Sequence, residues 1–151
     1  MAVIEAIVTC LVVAISDGDT LKVRCGEPGQ YQQVTIRLAE IDAPEKKQPF
    51  GNVSKHALSD LCFQQMAKVT PETMDRYGRT VAHVECRGKD ASAQQILSGN
   101  AWVFDRYVKD RSLYALQKVA REHGLGLWSD PNPQAPWQWR AQQRAIDVKP
   151  N

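Results

Sequence analysis

The sequence has no excess of charge of either sign: 19 lysines and arginines stand against 17 aspartates and glutamates over 151 residues, a formal net charge of +2. Such a chain is not a general electrostatic glue for nucleic acid, and any attraction to phosphate has to come from a local arrangement of basic side chains. It also has no apolar run near the roughly 20 residues that span a bilayer. The stretch Ile7 to Ile15 is interrupted by Thr9 and preceded by Glu5, where a secretory leader carries basic residues. It runs into a turn and not a small-residue cleavage site, so it is expected as the first strand. Internal repeats and low-complexity tracts are absent. The four cysteines, at 10, 25, 62 and 86, lack the C-x-x-C spacing of a zinc site. What remains is the size and composition of a single globular domain, 43% hydrophobic and 24% charged.

Residues 3–16 are rich in valine and isoleucine and predict a strand. Asp17-Gly18 then stands between two apolar runs, the strongest short signal for a hairpin. With these two residues as the loop, Cys10 faces Cys25; a disulfide and a pair of reduced core thiols both remain open. Leu21, Val23 and Cys25 alternate with Lys22 and Arg24 in a second strand, and a third is expected from about Tyr31 to Ile41. A helix is expected near Val53, with Val53, Ala57, Leu58, Leu61, Cys62 and Met66 on its inner face. Two further strands, 67–74 and 79–86, flank a turn at Asp75-Arg76-Tyr77-Gly78-Arg79. Asp90 is positioned to cap a short helix ended by Gly99, and Asp110 or Ser112 a last one with Leu113, Leu116, Val119 and Ala120 inward. The pattern predicts an α+β fold, a small five-stranded antiparallel barrel of OB type with about three helices. It occupies residues 1–128, followed by a tail over 129–151 with three prolines in an extended polar stretch and then Trp137-Gln138-Trp139-Arg140.

The stretch Arg37-Leu38-Ala39-Glu40-Ile41-Asp42-Ala43-Pro44-Glu45 carries the densest chemistry. Val34, Ile36 and Leu38 share one face of the third strand, which leaves Arg37 on the polar face. Pro44 cannot donate to a ladder and ends the strand, so Asp42 and Glu45 lie at its open end. A guanidinium fork, a hard oxygen ligand and a free carboxylate are what hydrolysis of a phosphate diester needs. The bland alternative is a structural ion pair of Arg37 with Asp42 and Glu45.

Taken together, Asp17-Gly18-Asp19-Thr20, Arg37 to Glu45 and Asp75 to Arg79 resemble the thermonuclease family, the staphylococcal-nuclease-like calcium-dependent nucleases. The likeness runs from about Val8 to Trp128 and includes Gly99-Asn100-Ala101 and Gly124-Leu125-Gly126-Leu127-Trp128. It implies that Asp19, Asp42 and the main-chain carbonyl of Ala43 hold Ca2+. It further implies that Arg37 and Arg79 clamp phosphate, that Glu45 activates water, and that Arg76, Tyr77 and Tyr107 contact substrate. Asp105 departs from the family pattern, which can carry an aromatic there, and the loop from Lys46 to Asn52 is compact. For single residues plainer roles stay open: Arg79 paired with Asp75, Tyr77 packed in its turn, Tyr107 in rim packing, Trp137 and Trp139 anchoring the tail.

The resemblance implies cleavage of DNA and RNA with little sequence preference, by a monomer with no membrane and no obligate protein partner. The alternative is a non-catalytic module that binds nucleic acid or protein. Two aspartates and a carbonyl make a sparse calcium cage, which favours work outside the cytosol, in the periplasm or beyond the cell.

Overall fold

The computed structural model describes residues 3–148; residues 1–2 and 149–151, at the outer ends of the two expected segments, lie outside it. Strands β1 (Val8–Asp17), β2 (Thr20–Cys25) and β3 (Gln32–Leu38) form the expected antiparallel meander. The short β4 (Ile41–Asp42) follows, then helix α1 (Gly51–Cys62) and the hairpin of β5 (Met66–Met74) and β6 (Thr80–Cys86). The order β3-β2-β1-β5-β6 closes on itself, because β6 also pairs with β3. That closing pair is parallel, Ile36 with Thr80, Arg37 with Val81 and Leu38 with Ala82. The five-stranded barrel is therefore of mixed orientation and not all antiparallel. After β6 come β7 (Lys89–Asp90), α2 (Ala91–Leu97), β8 (Trp102–Val103), α3 (Leu113–Glu122), a 3-10 turn at Gly126–Ser129 and α4 (Pro136–Asp147). With four α-helices, the described chain has one more than expected.

The core follows the period-two pattern of the strands. Cys10, Val12, Leu21, Val23, Ile36, Leu38, Val69, Ala82 and Val84 point inward and are buried, with Leu58 of α1 and Ile96 of α2 closing the ends. Helix α1 starts two residues earlier than expected, and its inner face is Ser54, Leu58 and Cys62; Val53 is exposed, and Met66 is an exposed residue of β5. Val119 of α3 is also exposed, while Leu113 and Ala120 of the same helix are buried. Asp90 caps α2, its carboxylate accepting from the Ala93 amide at 2.9 Å. Asp110 accepts from the Ser112 amide at 3.0 Å ahead of α3.

The first hairpin turns on Gly18-Asp19 and not on Asp17-Gly18, because Asp17 pairs with Thr20. Irregularities at Val12/Ala14 and Ile15/Asp17 shift the register again, so that Cys10 and Cys25 still meet and form a disulfide. A second disulfide joins Cys62 at the end of α1 to Cys86 at the end of β6. Each ties together segments that the barrel already places side by side, and restricts the unfolded chain.

Beyond the 3-10 turn the polypeptide bends at residues 130–132, where the Asn132 amide donates to Asp130, and the expected extended stretch is cut short because Pro136 opens a helix, a position where its missing amide is harmless. Trp137 stacks parallel to Phe104, with ring centroids 5.5 Å apart, and meets Trp102 edge-on at 5.7 Å. These contacts dock α4 against β8 and the residue that follows it.

One buried carboxylate organises the loop after β8. Glu40 accepts from the amides of Lys109 and Asp110, both at 2.7 Å, and its other oxygen lies 3.1 Å from His83 Nε2. His83 also faces Asp90 at 3.6 Å and Glu72 at 2.9 Å, and Lys109 reaches Glu72 at 3.7 Å. Asp90 foremost, with Glu72 and Glu40, raises the pKa of His83 from 6.5 to about 9 against the burial of its ring. A histidine with a raised folded pKa stabilises fully below its unfolded value and loses that contribution as pH climbs through the folded one. Wild type should therefore exceed His83→Gln in stability between about pH 5 and 6.5, with the gap closing above about pH 9. Urea unfolding across that range checks this; a gap independent of pH would contradict the charged clamp.

Candidate active site

The site is built where three chain reversals meet at one end of the barrel. The first is the tip of the β1–β2 hairpin. A Cβ on Gly18 would lie 1.7 Å from Ser54 Oγ, so only glycine lets the tip reach α1. Gln95 of α2 fixes the tip by donating to the Gly18 carbonyl at 2.7 Å. Asp19, next in sequence, is 6% exposed. Its backbone carbonyl accepts from the Leu38 amide at 2.8 Å, and its side chain accepts from Thr20 at 2.9 Å and from the Ala43 amide at 2.7 Å.

The second reversal joins β3 to β4. Arg37 comes off the polar face of β3, as the alternation requires, and donates to its neighbour's carbonyl at 2.8 Å. Its other terminal nitrogen lies 3.4 Å from both Asp19 Oδ2 and Asp42 Oδ1. Asp42, held in β4 by pairing with Trp102 of β8, is 1% exposed. The third reversal follows Pro44: Gln48 caps the Glu45 amide at 3.2 Å and itself bonds the Gln134 carbonyl at 2.7 Å. A Cβ on Gly51 would sit 2.0 Å from the Glu45 carbonyl, so glycine at that position lets the loop fold tightly against α1. Glu45 is thereby presented, half-buried, beside Asp42.

Arg37, Asp19, Asp42, Ala43 and Glu45 are thus brought together. Two residues of the site lay outside the set expected from the sequence. Asp17 shares the hairpin with Asp19 and accepts from its amide at 3.3 Å; the paired aspartates of Asp-Gly-Asp were its signal. Arg140 arrives from α4, grasping Asp42 at 2.6 and 3.1 Å and Glu45 at 2.8 Å. It lies beyond the stretch that carries the resemblance, and nothing in its local sequence marks it.

The three aspartates do not titrate alike. Burial first, then the charge of Asp19, pushes Asp17 up to about 7. Burial would raise Asp19 too, but the Arg37 guanidinium and the hydrogen bonds it accepts hold its pKa below the usual value. For Asp42 burial wins: its pKa is raised in spite of Arg140 and Arg37. Oxygen is the only donor type here, which fits a hard cation and not a soft one.

Arg79 is placed differently. It stands just before β6, two residues ahead of Val81, the register partner of Arg37 on the parallel strand. The two arginines therefore share the polar face of the closing pair, about 7 Å apart along the strand direction. Arg79 is engaged by Asp75, Nε to Oδ2 at 2.7 Å, in place of the carboxylates around Arg37. Tyr77 is exposed on the same turn, its hydroxyl accepting from Arg76 at 2.8 Å, with the Arg79 guanidinium 5.5 Å from its ring. Tyr107 is exposed on the loop that Glu40 holds, edge-on to Phe104 at 5.1 Å. Tyr114 bonds to Asp105 beside it. Glu40, Glu72 and His83 also bring ligand-type atoms within 4.8 Å of one another, here joined as an ion pair through the imidazole.

Known proteins share this layout in sequence. The family model described as staphylococcal nuclease homologue matches residues 35–130, from β3 through the 3-10 turn. A Haemophilus influenzae protein described as an uncharacterized endonuclease is 43% identical over 136 residues, covering 90% of this chain and 75% of its own length. A Shigella flexneri protein named micrococcal nuclease is 41% identical, covering 85% and 78% respectively. The Arabidopsis thaliana staphylococcal-like nuclease CAN1 is 38% identical over 109 residues, 72% of this chain but 34% of its own length. Since the matched region takes in the barrel closure and both arginine-bearing turns, the chain belongs to the staphylococcal nuclease homologue family.

Proposed function

We propose that this protein is a calcium-dependent nuclease that hydrolyses phosphodiester bonds of DNA and RNA with little sequence preference. The observation that carries the reading is Arg37 lying 3.4 Å from both Asp19 and Asp42, with Glu45 three residues further along the same bend. Membership of a family with named nucleases supports it. Asp19, Asp42 and the Ala43 carbonyl would hold the ion. When bound there, calcium would supply Lewis-acid polarisation of the phosphoryl group and offset its growing negative charge.

The protein's own groups do the rest. Glu45 takes a proton from the attacking water as the water oxygen bonds to phosphorus, and the 5′-oxygen departs with the electron pair of the broken P–O bond and is protonated from solvent. Arg37 donates to phosphoryl oxygens, and Arg79 joins it by exchanging Asp75 for phosphate, from the same face of the adjacent strand. A guanidinium suits both places because it makes two parallel bonds where an ammonium makes one. Arg76, Tyr77 and Tyr107 are exposed and would meet the neighbouring nucleotides.

Glu45→Gln and Arg79→Ala should each lower the rate of plasmid or RNA cleavage by about 100-fold or more without unfolding the protein. Near-normal turnover in a folded Glu45→Gln protein removes the general base, and in Arg79→Ala it leaves that side chain only its pairing with Asp75. Calcium should raise the melting temperature of wild type by linkage, and Asp42→Ala should abolish both that rise and the heat of calcium binding. Unchanged calorimetric binding in Asp42→Ala would refute the assigned cage.

We also place the enzyme in an oxidising, calcium-rich compartment outside the cytosol. Its pairing of Cys10 with Cys25 and Cys62 with Cys86 accords with that setting. Thiol titration of protein taken from its native compartment should find no free cysteine; four reactive thiols would return it to the cytosol.

A further inference from the structure

Helix α4 sends one side chain into the carboxylate cluster, and the contact is made with both prongs. Arg140 Nη2 donates to Asp42 Oδ2 at 2.6 Å and Nη1 to Asp42 Oδ1 at 3.1 Å, so each carboxylate oxygen is engaged. The same Nη1 reaches Glu45 Oε1 at 2.8 Å. Arg140 is 31% exposed and Asp42 1%, which places the guanidinium as a plug between solvent and the buried carboxylate. Trp137 lies three residues earlier, on the same helical face. Its stacking on Phe104 and edge contact with Trp102 hold α4 in the position from which Arg140 reaches the site. The bond from Gln48 to the Gln134 carbonyl couples the approach to α4 with the Glu45 turn.

A cation held by Asp42 needs the oxygens that Arg140 engages, and a guanidinium at hydrogen-bond distance also repels it. Glu45, with an oxygen given to Arg140, is likewise drawn away from a water molecule. We propose that α4 is a built-in competitor: Arg140 lowers the cation affinity of the Asp19–Asp42 site and covers Glu45 until the helix lifts. This rests on reading Asp42 as a cation ligand. Coupling of this kind is reciprocal, so whatever draws α4 off the barrel strengthens cation binding, and the cation in turn loosens α4.

The test is calorimetric titration of calcium into wild type, Arg140→Ala and Arg140→Lys, each checked for folding by circular dichroism. Trp137→Ala, which loosens α4 without touching a carboxylate, is the second line. Arg140→Ala should bind calcium about tenfold more tightly, the size of one nearby like charge removed at a partly solvated site. Arg140→Lys, which keeps the charge but not the fork, should fall between the two, and Trp137→Ala should shift in the same direction as Arg140→Ala. Binding by Arg140→Ala alone supports the proposal as well. Unchanged or weaker affinity in folded Arg140→Ala, with wild type binding normally, overturns the competitor role and leaves the calcium site standing. Absence of binding in every protein overturns both.

Discussion

The parallel pairing of β3 with β6 is the contact on which the rest of the molecule depends. Three registered residues on each strand close the barrel, and the Ala39 amide adds a bond to the Ala82 carbonyl at 2.9 Å just past them. Ile36, Leu38 and Ala82 go inward because of that closure, while Arg37, Val81 and Arg79 are turned to the opposite face. A slip of one residue would exchange the two sets and put a guanidinium in the core. Packing of aliphatic side chains therefore sets which way the arginines point, and the chemistry of the site inherits its orientation from the barrel.

Orientation alone would not make the cluster tolerable. Asp19 and Asp42 are almost wholly buried, and each ionised carboxylate taken out of water has to find donors or a cation. Asp19 finds them locally, in Thr20, the Ala43 amide and Arg37, and its pKa is lowered. Asp42 depends on guanidinium groups from β3 and α4, and its pKa stays raised. The difference assigns them unequal characters. Asp19 is held mainly by groups of the barrel end itself, whereas Asp42 draws its closest donor from a helix 98 residues further along the chain. A nearly neutral protein thus concentrates charge of both signs at one end of its barrel.

Features set by local chemistry were legible in the sequence. Alternation in β2 and β3, the cap at Asp90 and the polar face of Arg37 follow from neighbours a few residues away. The grouping of Asp19 with Asp42 and Glu45 came instead from the resemblance of three turns, read together, to a known family. What escaped depends on distant partners. Parallel closure leaves no mark in strand periodicity, which is the same for either orientation. The bond from Cys62 to Cys86 crosses from a helix end to a strand end, where no turn sets the register. Helix α4 is rich in glutamine and arginine and lacks a repeating apolar face; two tryptophans in a proline-containing segment read more readily as an extended anchor. Arg140 was hidden for the same reason, since only the docking of that helix gives it a destination.

Glu40 shows how a residue without a place in the chemistry can still decide its geometry. It takes a left-handed conformation, φ 72°, at 5% exposure, although it is not glycine. That backbone costs about 1–2 kcal/mol, but it reverses the chain between β3 and β4 and so lets Arg37 meet Asp42 five residues later. The side chain offsets the cost by binding two amides of the loop after β8 and the raised-pKa imidazole of His83. Its carbonyl accepts from the Phe104 amide at 2.9 Å, next to the ring on which Trp137 stacks. One strained position thereby joins the carboxylate cluster, the loop bearing Tyr107 and the platform under α4. Glu40 is therefore the residue at which the bend carrying Arg37 and Asp42, the Tyr107 loop and the Phe104 platform meet.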